Sequence, residues 1–312
     1  MKALIKTSTS LAVTQQDKPQ IQHADGVIIR VAMTGLCRTD VYVAEGIVPA
    51  GKDDLVLGHE FSGVVEAVGD AVTHIEAGDR VCVMPFFDVD QENARCRYAD
   101  STMMGISHDG SIAEYAYVPA YTVYALPAEV SFMMGAYMEP ICASMAVLKA
   151  HITPQQTGVI YGDNRISQLT RRIMQAKGFD KVTCYDCLAE DRQILADNSV
   201  DFIIETLVTT ETFADMVRAV KPGGTIVLKS RQHTPVAMNI SDLVKKDITL
   251  EAVNYADFQD CIDLAASGDL DVMDLFGDVY PIEEYQKVFE LSKGRESKKL
   301  FLSAVNDDVW SL

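Results

Sequence analysis

Basic residues are scarce in this sequence. Its 312 residues include 27 lysines and arginines against 45 aspartates and glutamates, a formal net charge of −18. Phosphate backbones and anionic lipid headgroups repel a surface with such an excess of negative charge. We therefore expect no nucleic-acid partner and no membrane partner, while an uncharged small-molecule substrate remains compatible with this balance.

Long apolar runs and a regular cysteine framework are also missing. No stretch reaches the roughly 18 apolar residues of a membrane-spanning helix, and the first residues do not resemble a signal peptide. The seven cysteines are odd in number and irregularly spaced, which argues against a disulfide-stapled secreted protein. We expect a soluble cytoplasmic protein, long enough for two domains.

The first part of the chain, residues 1–125, has the pattern of a small β barrel or sandwich. Short runs of Val, Ile and Tyr bounded by Gly, Asp or Pro occur at residues 27–33, 61–69, 79–84 and 113–118. Short strands that recur in this way are typical of all-β units.

The character of the sequence changes near residue 132. Apolar residues at helical spacing predict a helix over 132–150, and a second helix is predicted through 215–224, ending at a Pro-Gly turn. Between and beyond them, predicted strands and helices alternate, with strands at 157–162, 180–186, 200–206 and 225–230 and a helix at 167–178. This alternation predicts a parallel, doubly wound sheet and hence an α/β protein.

Three short segments contain the ligand types of a catalytic zinc ion. They are Gly-Leu-Cys-Arg-Thr-Asp at 35–40, Gly-His-Glu at 58–60 and Met-Glu-Pro at 138–140. A thiolate, an imidazole and a carboxylate are ligands that zinc prefers, and a catalytic site keeps one position open. The segments therefore predict one metal site formed by Cys37, His59 and Glu139, with Glu60 beside them.

Each of these residues also has an ordinary alternative role. Cys37 can be a buried structural cysteine, and His59 a histidine of the core. Glu139 can simply favour the N-terminus of its helix, where a carboxylate is stabilised in any case. Glu60 can accept a hydrogen bond and orient a ligand without binding the metal.

Four blocks of sequence together resemble one enzyme family. They are GLCRTDVY from Gly35, LGHEFSGVVEAVGDAVTHIEAGDRV at 57–81, GSIAEYAYVP at 110–119 and MEPICASMAVLKA at 138–150. Nearly end to end, the chain is similar to the zinc-dependent medium-chain dehydrogenases, especially the polyol and threonine dehydrogenase branch. The resemblance implies a GroES-like catalytic domain over 1–125, completed by 276–312, and a Rossmann-type dinucleotide-binding domain over 126–275.

The resemblance also implies an activity and residue roles. The expected protein is a zinc-dependent oxidoreductase that transfers a hydride between a nicotinamide cofactor and a small secondary alcohol, polyol or amino alcohol, and it forms a homodimer or homotetramer. Thr39 is expected to pass the alcohol proton outward, although it can instead stabilise a turn. By the same resemblance, Glu60 is expected to approach the metal during turnover, and Asp40 is expected to orient His59. Tyr42 stands where the family often has histidine, so the outer part of a proton path is not implied.

Two departures from the family affect metal and cofactor binding. The family's cluster of four cysteines is reduced to Cys96 between residues 88 and 105, which predicts no structural zinc and therefore one catalytic zinc per chain. The phosphate-binding fingerprint G-x-G-x-x-G keeps only its first glycine, Gly162. Ser167 is small enough for the third position, but Asn164 places a side chain where bare backbone approaches the pyrophosphate.

Asp186 is expected to select NAD. It ends the strand predicted at 180–186, nineteen positions after Ser167, where an acid binds the ribose hydroxyls of NAD and repels the phosphate of NADP, although it can also be a turn residue at the strand end. The stretch 187–200 is short, which predicts that a helix and a strand of the usual fold are trimmed. The eroded loop and trimmed domain leave an alternative: a degenerate zinc-binding or partner-binding module with little or no dinucleotide binding.

Overall fold

The computed structural model describes residues 1–90, 98–231, 234–294 and 298–305. Cys96 and most of its predicted metal-free lobe lie outside these residues. Every helix in the described ranges is too short or too polar to cross a membrane. Two compact units are distinguished by their internal packing: Met1–Pro140 with Phe258–Gly268 and Met273–Leu312, and Ile141–Asp257 with Asp269–Val272. The domain limits expected from the sequence stay a prediction.

Short strands dominate the first 125 residues. The strands are β1 (Lys2–Lys6), β2 (Leu11–Gln15), β3 (Gly26–Gly35), β4 (Leu55–Val56), β5 (Glu60–Val68), β6 (Arg80–Val83), β7 (Phe86–Phe87), β8 (Thr102–Met103), β9 (Tyr115–Pro119) and β10 (Val123–Ala125). Three helices follow or interrupt them, α1 (Arg38–Ala44), α2 (Phe132–Gly135) and α3 (Met138–Met145). The four strands predicted in this region are all confirmed.

Helices and strands alternate in the remainder of the chain. The elements are β11 (Gly158–Tyr161), α4 (Arg165–Ala176), β12 (Val182–Tyr185), β13 (Val200–Glu205), α5 (Thr210–Ala219), β14 (Val220–Leu228), α6 (Ile240–Lys245), β15 (Thr249–Ala252), α7 (Phe258–Ala266), β16 (Phe276–Pro281), α8 (Tyr285–Ser292) and β17 (Lys299–Ser303).

The main sheet of the first unit brings distant segments of the chain into register. Its strands run in the order β10-β6-β5-β3-β17-β16, and β9 also pairs with β3. In the antiparallel pair of β3 and β5, Gly35 lies opposite Glu60; β17 pairs with β3 from the other side. Alternate apolar residues of β3, β5 and β6 pack into one core. The start of β17, at Lys299, is thereby brought to the same end of the sheet as Glu60.

The second unit contains a five-stranded parallel sheet. Its order is β12-β11-β13-β14-β15, so the direction of winding reverses between β11 and β13. Ligands of such sheets bind at the carboxyl ends of the strands beside this reversal, here next to Gly162 and Thr206. The predicted trimming is confirmed, because the fully described stretch 186–199 contains turns but neither helix nor strand.

Two helix predictions were wrong in extent. The helix predicted over 132–150 is divided into α2 and α3, and Pro140 explains the new start because proline is tolerated in the first turn of a helix but not in its interior. The helix predicted through 215–224 ends at Ala219. Residues 220–228 are a strand, since Pro222 breaks helical hydrogen bonding and Gly223 has a φ of +73°.

Candidate metal centre and dinucleotide-binding loop

A buried aspartate fastens the two ligand segments to each other. Asp40, in the first turn of α1, accepts a hydrogen bond from the backbone N–H of Cys37 at 2.8 Å and another from Gly58 at 3.2 Å. Its Oδ1 is also 3.1 Å from Nδ1 of His59. The side chain is completely buried. The predicted contact between Asp40 and His59 is therefore present in the structure, and Asp40 also positions the backbone that carries both ligands.

Three side chains form what we call the ligand cluster: Cys37, His59 and Glu60. One potential ligand atom of each lies within 4.8 Å of the others. His59 Nε2 is buried and has no hydrogen-bond partner. Because Asp40 is the partner of Nδ1, Nε2 is the ring nitrogen that a metal ion could bind once its proton is displaced. A thiolate, this imidazole nitrogen and a carboxylate suit zinc, so the residues present fit the metal.

Negative charge makes the cluster a favourable place for a cation. Burial lowers the pKa of His59, but Asp40 and Cys37 outweigh burial and raise the pKa well above its ordinary value. Burial raises the pKa of Glu60, Lys299 opposes this, and Glu139 raises the pKa further. The same field that stabilises a proton on the imidazole stabilises a metal ion at Nε2.

Glu139 and Thr39 lie beside the ligand cluster. Glu139 is in the first turn of α3, as predicted, and is buried. It acts on Glu60 through its charge, but it is not in the group of ligand atoms within 4.8 Å of one another. The hydroxyl of Thr39 is 3.6 Å from the sulfur of Cys37. The structure thus brings Cys37, His59 and Glu60 together, and metal binding by Glu139 stays a prediction.

Sequence reasoning missed Lys299. Its side chain is completely buried at the start of β17, and its ammonium pairs with Oε2 of Glu60. It also donates a hydrogen bond to the backbone carbonyl of Leu36 at 2.8 Å. A lysine at the head of the apolar run Leu-Phe-Leu was the only signal in the sequence, and lysines at strand ends are usually exposed.

The predicted phosphate loop, residues 162–167, keeps its tight turn, but a side chain now covers backbone amides that the fingerprint would leave free. Gly162 has a φ of +119°, and a Cβ there would lie 2.6 Å from the Thr206 hydroxyl. The Ser167 hydroxyl fits this space, 2.8 Å from Thr206 Oγ1. Asn164 is the N-cap of α4, and its Oδ1 accepts hydrogen bonds from the N–H groups of Ile166 at 2.9 Å and Ser167 at 3.1 Å. Two of the amides that would face a pyrophosphate are therefore already satisfied.

Asp186 lies directly after β12, level with the phosphate loop. The residue before it, Tyr185, forms a bridge with Gly162. Asp186 is half-buried, and its Oδ1 accepts a hydrogen bond from the N–H of Leu188 at 3.1 Å. The turn role considered for this residue is therefore present, and the ribose contact stays a prediction; a carboxylate can accept further hydrogen bonds beside this one.

A buried glutamate at the same carboxyl end of the parallel sheet was also not predicted from the sequence. Glu205 ends β13; its Oε2 accepts from the N–H groups of Lys229 at 3.3 Å and Ser230 at 3.1 Å, whereas Oε1 has no partner. The charge that closes the apolar run Val-Asp-Phe-Ile-Ile-Glu is the signal that could have identified it.

Known proteins resemble this chain in both sequence and fold. Residues 23–128 match the alcohol dehydrogenase GroES-like domain. D-xylulose reductase of Morganella morganii is 29% identical over 327 residues, covering 93% of this chain and 97% of that protein. Galactitol-1-phosphate dehydrogenase of Escherichia coli has a TM-score of 0.83 at 22% identity, covering 97% of this chain and 99% of that one.

An NADP-bound structure has the same fold. It is a Sinorhizobium meliloti protein described as a zinc-binding dehydrogenase, with a TM-score of 0.86 at 22% identity, covering 96% of this chain and 98% of that one. These likenesses confirm the predicted fold class, a GroES-like domain together with a Rossmann-type parallel sheet. The domain match and the relatives support the resemblance to the medium-chain dehydrogenase/reductase family that the sequence blocks indicated.

Proposed function

We propose that this protein is a zinc-dependent oxidoreductase that transfers a hydride between a nicotinamide cofactor and a small secondary alcohol, polyol or amino alcohol. The observation that carries the proposal is the buried, unpartnered Nε2 of His59 beside Cys37 and Glu60. The relatives named as D-xylulose reductases and the galactitol-1-phosphate dehydrogenase fold support a polyol or related alcohol as the substrate class.

The chain's own residues supply positioning and proton transfer. A zinc ion held by the ligand cluster would supply Lewis acidity toward an alcohol oxygen, and a nicotinamide cofactor would supply the hydride acceptor. Asp40 holds the His59 ring in one orientation through the contact at Nδ1. Thr39 is proposed to carry the alcohol proton away from the ligand cluster, and its half-buried position beside the sulfur of Cys37 supports this role. Glu139 is proposed as a further ligand and adds negative charge.

We expect one zinc per chain and an alcohol dehydrogenase activity that depends on it. Metal analysis of the purified protein should give about one zinc ion per chain. The part of the chain that the structure describes forms a single cluster of metal-binding side chains. A panel of polyols, amino alcohols and secondary alcohols with NAD identifies the substrate class. Chelation should abolish turnover and zinc should restore it; two tightly held zinc ions, or turnover that survives chelation, would refute the proposal.

The proposed cofactor is NAD rather than NADP. Asp186 would meet the 2′-phosphate of NADP as a like charge and accept hydrogen bonds from the NAD ribose. Asp186→Ser should narrow the ratio of kcat/KM for the two cofactors by roughly tenfold, the equivalent of about 1.4 kcal/mol. Asp180→Ser, an exposed aspartate just before β12, is the matched control and should leave the ratio unchanged. A wild-type preference for NADP would contradict the assignment.

One observation favours a second candidate. Because Asn164 satisfies two N-terminal amides of α4, the domain could have lost useful dinucleotide affinity and become a zinc-binding or partner-binding module. Titration of the wild-type protein with NADH separates the two candidates.

The expected homodimer or homotetramer is likewise a proposal. It is supported by β15, an edge strand, and by Ile240 and Val244 on the preceding helix, which are 69% and 70% exposed. The mass of the protein in solution decides it. A cytoplasmic location also stays a prediction, and fractionation of the source cells tests it.

A further inference from the structure

The ligand cluster has a buried cation of its own. Lys299 is the one lysine or arginine among the buried residues of the described ranges. Three of the four buried carboxylates in those ranges, Asp40, Glu60 and Glu139, belong to the same site. A buried ammonium is costly unless it is paired and hydrogen-bonded. The burial of Lys299 at this site therefore indicates that its ammonium has a specific partner, whereas a lysine that only aids solubility would be exposed.

That partner is Glu60. The ammonium of Lys299 pairs with Glu60 Oε2, with side-chain exposures of 0% and 2%, and the Leu36 carbonyl accepts another of its protons. Asp40 has different partners, two backbone amides and His59. In the described contacts, Lys299 is the one side chain that forms an ion pair with Glu60.

The backbone leaves room for this pair at one position. A Cβ added at Gly35 would lie 2.5 Å from Lys299 Cε and 2.8 Å from Glu60 Oε2. Gly35 lies opposite Glu60 in the sheet, and β17 pairs with β3 on the other side. The ion pair is thus enclosed by three neighbouring strands and held in one geometry.

Two demands meet at the Glu60 carboxylate. It is close enough to Cys37 and His59 to serve as a metal ligand, and it also neutralises Lys299. A metal ion that binds Glu60 must share the carboxylate with the ammonium, and the ammonium repels the metal at short range. Removal of the ammonium would end both the competition for the carboxylate and the repulsion of the metal ion.

We propose that Lys299 is a positioning residue that competes with the metal ion for Glu60, holding this carboxylate back from full ligation and weakening metal binding. This inference rests on the proposed metal site. In the absence of metal, Lys299 neutralises Glu60 and stabilises the fold. In its presence, Lys299 keeps a share of the Glu60 carboxylate, so that the metal ion binds more weakly than it would without the ammonium.

The test compares Lys299→Met with wild type by chelator competition for zinc and by thermal unfolding with and without zinc. Loss of the ammonium should tighten zinc binding at least about tenfold, since repulsion and competition both disappear. Without zinc, Tm should fall by about 10 °C, because Glu60 is left buried and unpaired. With zinc, the loss should be much smaller, because the metal replaces the ammonium as the partner of Glu60.

Substitution of cobalt for zinc separates the proposed role from a purely structural one. If Lys299 only supported the fold, its replacement would leave the cobalt spectrum unchanged. The visible absorption of Co²⁺ in Lys299→Met should differ from wild type, because Glu60 joins the ligands. Combined with Glu60→Gln, the Lys299→Met substitution should lose most of its effect on zinc affinity and on the spectrum. Lys298→Met, an exposed neighbour with the same change, is the control and should resemble wild type.

Several outcomes would overturn the inference. Unchanged or weaker zinc binding in Lys299→Met, or an effect that persists in the Glu60→Gln background, would show that Lys299 only supports the fold. If Lys299→Met does not fold without zinc, recovery of the fold on refolding with zinc supports the inference, and failure to recover contradicts it. A wild-type protein that binds no zinc refutes the proposed metal site, and this inference with it.

Discussion

Replacing Cys37 by serine is expected to remove most of the zinc and nearly all of the activity. The substitution keeps the size of the side chain but exchanges a soft thiolate for a hydroxyl, a poor zinc ligand at neutral pH. The remaining cluster members, His59 and Glu60, cannot replace it from their own positions. Loss of an outer-shell partner alone typically costs 10–100-fold in metal affinity or activity, so we expect losses on the order of 100-fold or more.

Zinc content after dialysis and kcat/KM with the best alcohol of the panel measure this effect. Cys184→Ser is the matched control, because Cys184 is also a half-buried free cysteine. Burial raises the pKa of Cys184 to about 11, which favours the neutral thiol, and Cys184 is outside the ligand cluster found in the described residues. A Cys37→Ser protein that retains its zinc would place the metal site elsewhere, even if activity fell.

Replacing Asn164 by glycine is expected to lower the dissociation constant of NADH by roughly 10- to 100-fold. The substitution removes the side-chain oxygen that now occupies the amides of Ile166 and Ser167, and these amides then face the pyrophosphate. A gain of about 1–3 kcal/mol corresponds to satisfying polar groups that were previously unavailable to the ligand. The helix should persist, because glycine in place of asparagine at an N-cap costs only a few tenths of a kcal/mol.

Binding isotherms of NADH to wild type and variant provide the measurement. Asn239 caps α6 in the same way, with its side chain accepting from the N–H of Ser241, so Asn239→Gly controls for the loss of a cap. Asn164→Asp keeps the cap and adds a negative charge, and it should weaken binding. If wild type binds tightly and Asn164→Gly binds less well, Asn164 is itself a cofactor contact. If neither protein binds and Ser167→Gly in addition restores nothing, the degenerate-module candidate prevails.

The sequence by itself determined which ligand types the proposed metal site contains and the plan of the fold. Cys37, Asp40, His59 and Glu60 are recognisable because ligand types follow short, local spacings, and the structure brings them together. Alternation of apolar strands with amphipathic helices is equally local, and it correctly indicated the parallel sheet, while the short stretch 187–200 indicated the trimming. Such features depend on residues a few positions apart in the chain, and they can therefore be recognised from the sequence alone.

Tertiary structure decided the features that depend on distant partners or on a choice between two hydrogen bonds. Lys299 and Glu60 are 239 positions apart, and only the pairing of β3 with both β5 and β17 shows that the lysine is buried against the site. Asn164 was expected to intrude on the phosphate, yet its oxygen turns back to cap α4. The reason is the same in both cases: burial makes an unpaired polar group costly, and the nearest partner in space satisfies it.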